Sequence, residues 1–211
     1  MMKKLLQSLA LLTALAGLTA CKPTEKKEAT KTQLDTSIIK QDTTPAHQDI
    51  RLKFNDIKVA NAAENFVGGT NLATLKEMFG EPAEHQSVPA GEVTLEQYIW
   101  KFDQVSVSIH LFQDSTIVRS ISNFRFNREE IVSKSDVDAL KITNGEQTGD
   151  TFKAISDKFG QPDVMSQANS SDIEEIRAIW SSGLKTEKGA TLILTFKNNH
   201  LTNVEQTGIS D

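Results

Sequence analysis

The chain has 211 residues, 38% hydrophobic and 24% charged, with 11 glycines and 5 prolines. That is enough for one or two small domains, and too little Gly and Pro for a collagenous or wholly disordered chain. A formal net charge of −5 lacks the basic face that general nucleic-acid binding needs, and a lone cysteine, Cys21, rules out a disulfide framework or a multi-cysteine zinc cluster.

Residues 1–20 read as an export leader. Lys3 and Lys4 form a basic start, and Leu5 to Gly17 form an apolar stretch shorter than the ~20 residues of a membrane span. Leu18-Thr19-Ala20-Cys21 resembles the bacterial lipobox. The resemblance implies a diacylglyceryl group on the Cys21 thiol and cleavage that leaves Cys21 first. Two acyl chains anchor stably where one is marginal. Losing the two leader lysines leaves 21 basic against 28 acidic residues, a net charge of −7 that disfavours lying flat on an anionic envelope. An acylated Cys21 also leaves no free thiol for catalysis.

Residues 21–50 are rich in Thr, Lys, Gln and Asp and poor in large apolar side chains. Such a segment buries too little surface to offset its ordering entropy, so a flexible tether is expected, ~30 Å long as a coil. His47 falls in it and is expected to be solvated.

From residue 51 onward a pattern occurs twice, suggesting one unit over 51–128 and another over 129–211. Phe79-Gly80-Glu81-Pro82 matches Phe159-Gly160-Gln161-Pro162, and Ile99-Trp100 matches Ile179-Trp180. Ile50, Phe54 and Ile57 have helical spacing, with Val137 and Leu140 in the matching place. Leu72, Leu75 and Phe79, like Phe152, Ile155 and Phe159, form apolar helical stripes. Thr70 and Asp150 are suited to cap these helices, and Gly80 and Gly160 to end them before Pro82 and Pro162.

Strands are then expected near 83–88 and 163–168, and at 93–102 and 173–180, although Ile173, Ile176 and Ile179 also fit a helix. Val105, Val107, Ile109 and Leu111 alternate with polar residues, as do Leu192, Leu194 and Phe196. Asp114-Ser115 and Asn198-Asn199 read as turns into last strands near 116–126 and 200–206. The expected fold class is α+β, a tandem repeat of a two-helix plus about four-stranded antiparallel sheet unit.

Phe54-x-x-Ile57, Gly68-Gly69-Thr70, Phe79-Gly80-Glu81-Pro82 and Trp100, with Gly149-Asp150, Phe159-Gly160-Gln161-Pro162 and Trp180, carry a wider resemblance. Over about 54–206 the chain resembles tandem-domain bacterial lipoproteins with the fold of the β-lactamase inhibitor protein. It is also similar to the SmpA/OmlA lipoproteins of outer-membrane assembly. These groups act by binding proteins, and the shared motifs are caps, stops and core positions. The inhibitor's contact loops and disulfides have no counterpart here.

Chemistry-bearing motifs are lacking. His47, His85, His110 and His200 show no metal-ligand spacing, and neither a serine elbow nor a phosphate loop occurs. No cofactor, metal or catalytic residue is assigned. A surface remains: Tyr98, Trp100 and Phe102 share one side of their strand, with Trp180 matching Trp100 and His110 a possible neighbour. If that side faces away from the helices it is an aromatic docking patch; if it faces them, both tryptophans are core. The reading is a non-catalytic, lipid-anchored module on the extracellular face of the cell membrane (Gram-positive), or alternatively on the periplasmic face of the outer membrane. It would bind a protein or envelope component. The alternatives are an inhibitor of a secreted hydrolase, or a cell-wall hydrolase lacking a recognisable motif.

Overall fold

The computed structural model describes residues 44–211. The leader, Cys21 and residues 22–43 lie outside the described residues. In chain order, α1 is Gln48–Asn55, α2 Leu72–Phe79, β1 Glu84–Ala90, β2 Val93–Phe102, β3 Val105–Phe112 and β4 Ser115–Ser122. Then follow α3 Lys134–Asp138, α4 Phe152–Phe159, β5 Val164–Asn169, β6 Glu174–Trp180, β7 Thr191–Lys197 and β8 His200–Thr207.

All eight strands belong to one antiparallel sheet in the order β1 to β8. This corrects the expected tandem of two-helix, four-strand units. β4 pairs with β5 from Val118↔Ala168 to Ile121↔Met165, so the backbone ladder runs unbroken across the middle of the chain. The strands dominate, and the helices are short pieces of 5 to 8 residues. Alternation of apolar and polar residues is the same in an edge strand and an interior one, so the sequence pattern does not reveal that β4 and β5 face each other.

The local signals act through identifiable atoms. Leu75 and Phe79 on α2, and Ile155 and Phe159 on α4, are buried. Gly80 and Gly160 end these helices with φ of 82° and 79°, the left-handed region glycine tolerates. The caps lie one residue later than expected: Asn71 accepts from Thr74 N–H and Thr151 from Ala154 N–H. Thr70 and Asp150 instead hold the approaching loops, accepting from Lys58 N–H and Lys141 N–H, each at 2.8 Å. A Cβ on Gly69 would lie 2.5 Å from Thr116 O, and one on Gly149 2.3 Å from Leu201 O. These glycines therefore let both loops lie against strand ends.

The four helices pack on one side of the sheet over a continuous core. Phe54, Leu75, Val137 and Phe159 meet Trp100, Ile109, Ile121, Met165, Ala178, Trp180 and Phe196 there. A second cluster lies on the opposite side at one end, where Phe66 of the loop 56–71 packs with Leu95 and Ile117, flanked by Phe112 and Val118.

Buried ions join the layers. Arg51 of α1, fully buried, donates to Pro162 O at 2.7 and 3.2 Å and to Asn55 Oδ1. Arg119 of β4 donates to Phe54, Asn55 and Ile57 carbonyls at the end of α1 and to Gln167 Oε1 of β5. Burial lowers both guanidinium pKa values to about 10, with Arg119 adding to the effect at Arg51. Asp163, before β5, accepts from Phe126 N–H, Ser181 N–H, Ser182 N–H and Arg128. Burial pushes its carboxyl up, but the donors, led by Ser182, outweigh that and hold it below the ordinary value.

Candidate functional site

Strand register assigns each side chain to a face, because successive residues point in opposite directions. Tyr98, Trp100 and Phe102 pair with Ile109, Val107 and Val105, which are buried on the helix side. That side of β2 therefore faces the helices. Trp100 is 1% and Trp180 0% exposed. Their indole N–H groups donate to Gly80 O at 2.8 Å and Gly160 O at 2.9 Å, tying each strand to the end of α2 or α4. The two indoles present no surface.

Phe102 is half-buried beside Phe79 and the His47 ring. His47 is tied at 2.7 Å to Asp103 in the β2–β3 turn. Both line a shallow pocket with Asn123 and Arg125.

Tyr98 lies at the rim of the helix-covered face. Its ring stacks on His85 of β1, centroids 4.3 Å apart. His85 Nε2 meets Glu96 Oε2 at 2.6 Å, and Ser87 donates to Glu96 at 2.8 Å. Ser87 leads the effects that hold the exposed Glu96 carboxyl low. Partial burial is the first cause raising the Tyr98 hydroxyl. Mutual satisfaction makes this a surface network.

His110 points the other way. It pairs with Gln97 and Val118 on the helix-free face, where burial lowers its pKa and favours neutral imidazole. Tyr98, Trp100, Phe102, Trp180 and His110 therefore do not form one patch.

The helix-free face carries a different surface. Its central row crosses all eight strands through Glu84, Ile99, Ser108, Ser120, Ser166, Arg177, Thr195 and Asn203. A neighbouring row contains Ser106 and Ser122, whose hydroxyls meet at 2.8 Å, while Gln97 donates to Ser108 at 2.9 Å. The inner members of the central row, from Ile99 to Thr195, are half-exposed. Toward the rim, Lys101 pairs with Glu84 and Lys197 with Glu175 at 3.9 Å, while Glu205 accepts from Asn203 at 3.0 Å.

These serines and Arg177 were not singled out in the sequence. The alternation of Ser106 and Ser108 with buried valines marked them as the other face. Arg177 was hidden by the ambiguous spacing of its neighbouring isoleucines. Among the described residues, no group of three or more His, Cys, Asp or Glu side chains is placed to hold a metal.

The model of the family described as a domain of unknown function with a solved structure (DUF3862) matches residues 46–209. A crystal structure from Streptococcus mutans, of a protein called a "putative beta-lactamase inhibitor protein", is 43% identical, with a TM-score of 0.73. The match covers 80% of this chain and 100% of that one. The fold is therefore like that of the β-lactamase inhibitor protein. No curated protein matches the chain.

Proposed function

We propose a function for this chain, which belongs to the DUF3862 family: it is a non-catalytic protein-binding module that docks its partner on the helix-free face of the sheet, and the partner is a secreted hydrolase that it inhibits. The observation carrying this reading is the row of mostly short side chains across the sheet, half-exposed through its middle and uncharged apart from Glu84 at one edge and Arg177, which the four α-helices leave clear by lying on the other side. Eight strands at ~4.8 Å spacing are ~34 Å wide, and strands of this length give a face on the order of 700 Å², one end of which lies under the loop 56–71. A standard interface takes ~800 Å² from each partner, so the part left clear is a substantial share of one. The printed name of the Streptococcus mutans neighbour favours a hydrolase as that partner.

The test mixes full-length chain with purified secreted β-lactamases and muramidases and follows hydrolysis of a chromogenic cephalosporin or of cell wall. Inhibition relieved by Ser120→Tyr in the face, but not by Lys153→Ala on α4, is expected. Inhibition untouched by Ser120→Tyr would reject the docking face. Lack of inhibition throughout would reject the inhibitor reading, and turnover of cell wall by the chain alone would reject the non-catalytic one.

The same proposal places the module outside the cell on a lipid anchor at Cys21, on the extracellular membrane face. Incorporation of labelled palmitate, abolished by Cys21→Ser, is the expected result. Unchanged labelling would refute the anchor and leave the docking face unaffected.

A further inference from the structure

Resting on the docking face proposed above, we infer that Arg177 is its specificity-determining centre and selects a protein partner that projects an aspartate or glutamate side chain onto it. Arg177 stands on β6 between Ser166 of β5 and Thr195 of β7, with Ser120 one strand further along the same row. It is half-exposed, and among the described residues no carboxylate lies within ion-pair distance of it. Glu175, two residues earlier on the same face, is paired with Lys197. Arg177 is thus an unpaired cation in the middle of the face, beside the matched Glu175–Lys197 pair.

A docked partner strips water from this guanidinium. Left unpaired, it would oppose binding, because an uncompensated buried charge is strongly unfavourable. A carboxylate offers the planar, two-pronged acceptor that matches the guanidinium fork. Ser166, Thr195 and Ser120 are short, so they leave room above the sheet and supply hydroxyls that can donate or accept at the border of the pair. Arginine in a desolvated interface centre is also where binding energy concentrates.

The test pans a random-peptide phage library on the immobilised full-length chain and measures selected peptides against four chains: unaltered, Arg177→Gln, Ser166→Trp and Thr195→Trp. Thermal melts establish that each variant is folded, and the two tryptophan variants block the face independently. Selected peptides are expected to contain Asp or Glu. Arg177→Gln, or changing the peptide carboxylate to its amide, should each weaken binding about tenfold or more, and the two changes together should add little. Peptides lost on the tryptophan variants but indifferent to Arg177→Gln would overturn the carboxylate inference while leaving the docking face standing. Peptides indifferent to both tryptophan variants, or a library yielding none, would reject the face and this inference with it.

Discussion

Asp163→Asn isolates what holds the strands and helices in one body. The Asp163 side chain is fully buried. One oxygen accepts from Phe126 N–H at 2.7 Å, Ser182 hydroxyl at 2.6 Å and Arg128 at 3.2 Å; the other accepts from Ser181 N–H at 2.6 Å and Ser182 N–H at 2.9 Å. Asparagine keeps the shape but turns one oxygen into a donor. The serine hydroxyl can rotate to accept; the backbone N–H groups and Arg128 cannot. Whichever way the amide is set, two fixed donors lose their acceptor in a buried site, at about 1–3 kcal/mol each, and the ion pair is lost. The combined loss is about 3–5 kcal/mol. With a urea m-value of about 2 kcal/mol/M, the unfolding midpoint should fall by roughly 1.5–2.5 M. A fall under roughly 0.5 M at unchanged m would refute the assignment of this carboxylate as a structural hub. The pH dependence adds a control. A folded pKa below the unfolded one means a stabilisation fully present above about pH 4 and lost as pH falls through the folded value. The gap between wild type and Asp163→Asn should therefore narrow in acid.

The continuous β4–β5 ladder and the Arg51–Pro162 bridge predict a single cooperative urea transition for residues 44–211 by fluorescence and circular dichroism; two separable transitions would contradict the shared core. Trp100 and Trp180 should give blue-shifted emission with little acrylamide quenching, and a readily quenched component would show an exposed indole. The His110 imidazole should titrate by NMR below its ordinary value of about 6.5. Because the folded state resists its protonation, the stability owed to neutral His110 is present above that pH and declines as pH falls below it. His110→Gln should flatten that decline, and an unchanged profile would remove His110 as its source.

What was legible in the sequence was local. The α2 and α4 stripes, the terminating glycines, and β2 and β3 depend on residues within a few positions of each other. Thr70 and Asp150 were read as caps because their side chains suit a helix start. The adjacent Asn71 and Thr151 suit it as well, and the choice is settled by loop N–H groups 12 and 9 residues upstream. The β4–β5 pairing joins segments far apart in sequence with no pattern marking the match. In β6 the strand expected at 173–180 is present, and the helix-compatible isoleucine spacing does not mark one face: only Ile176 is buried, Ile173 is exposed, and Ile179 belongs to the helix-free face. Nothing in the sequence marks Arg51 and Arg119, because composition does not show that carbonyls of α1 and Pro162 await them.

The placement of charge separates the two faces by task. Between the helices and the sheet the ions are largely buried and multiply bonded, and Arg51, Arg119, Arg128 and Asp163 join α1, the segment after β4, and β5 into one frame. A sheet held from behind does not have to order itself when something binds in front, so less binding free energy is lost to conformational entropy. The front face carries serine, threonine and glutamine through its middle, with most of its charges toward the rim. Neutral hydroxyls are cheaper to dehydrate than ions, which matches the depletion of charge in interface centres. Arg177 departs from that rule at mid-face, and a guanidinium kept among hydroxyls without a counter-ion is better explained by a partner's charge than by the stability of the free chain, to which an unpaired surface cation contributes little.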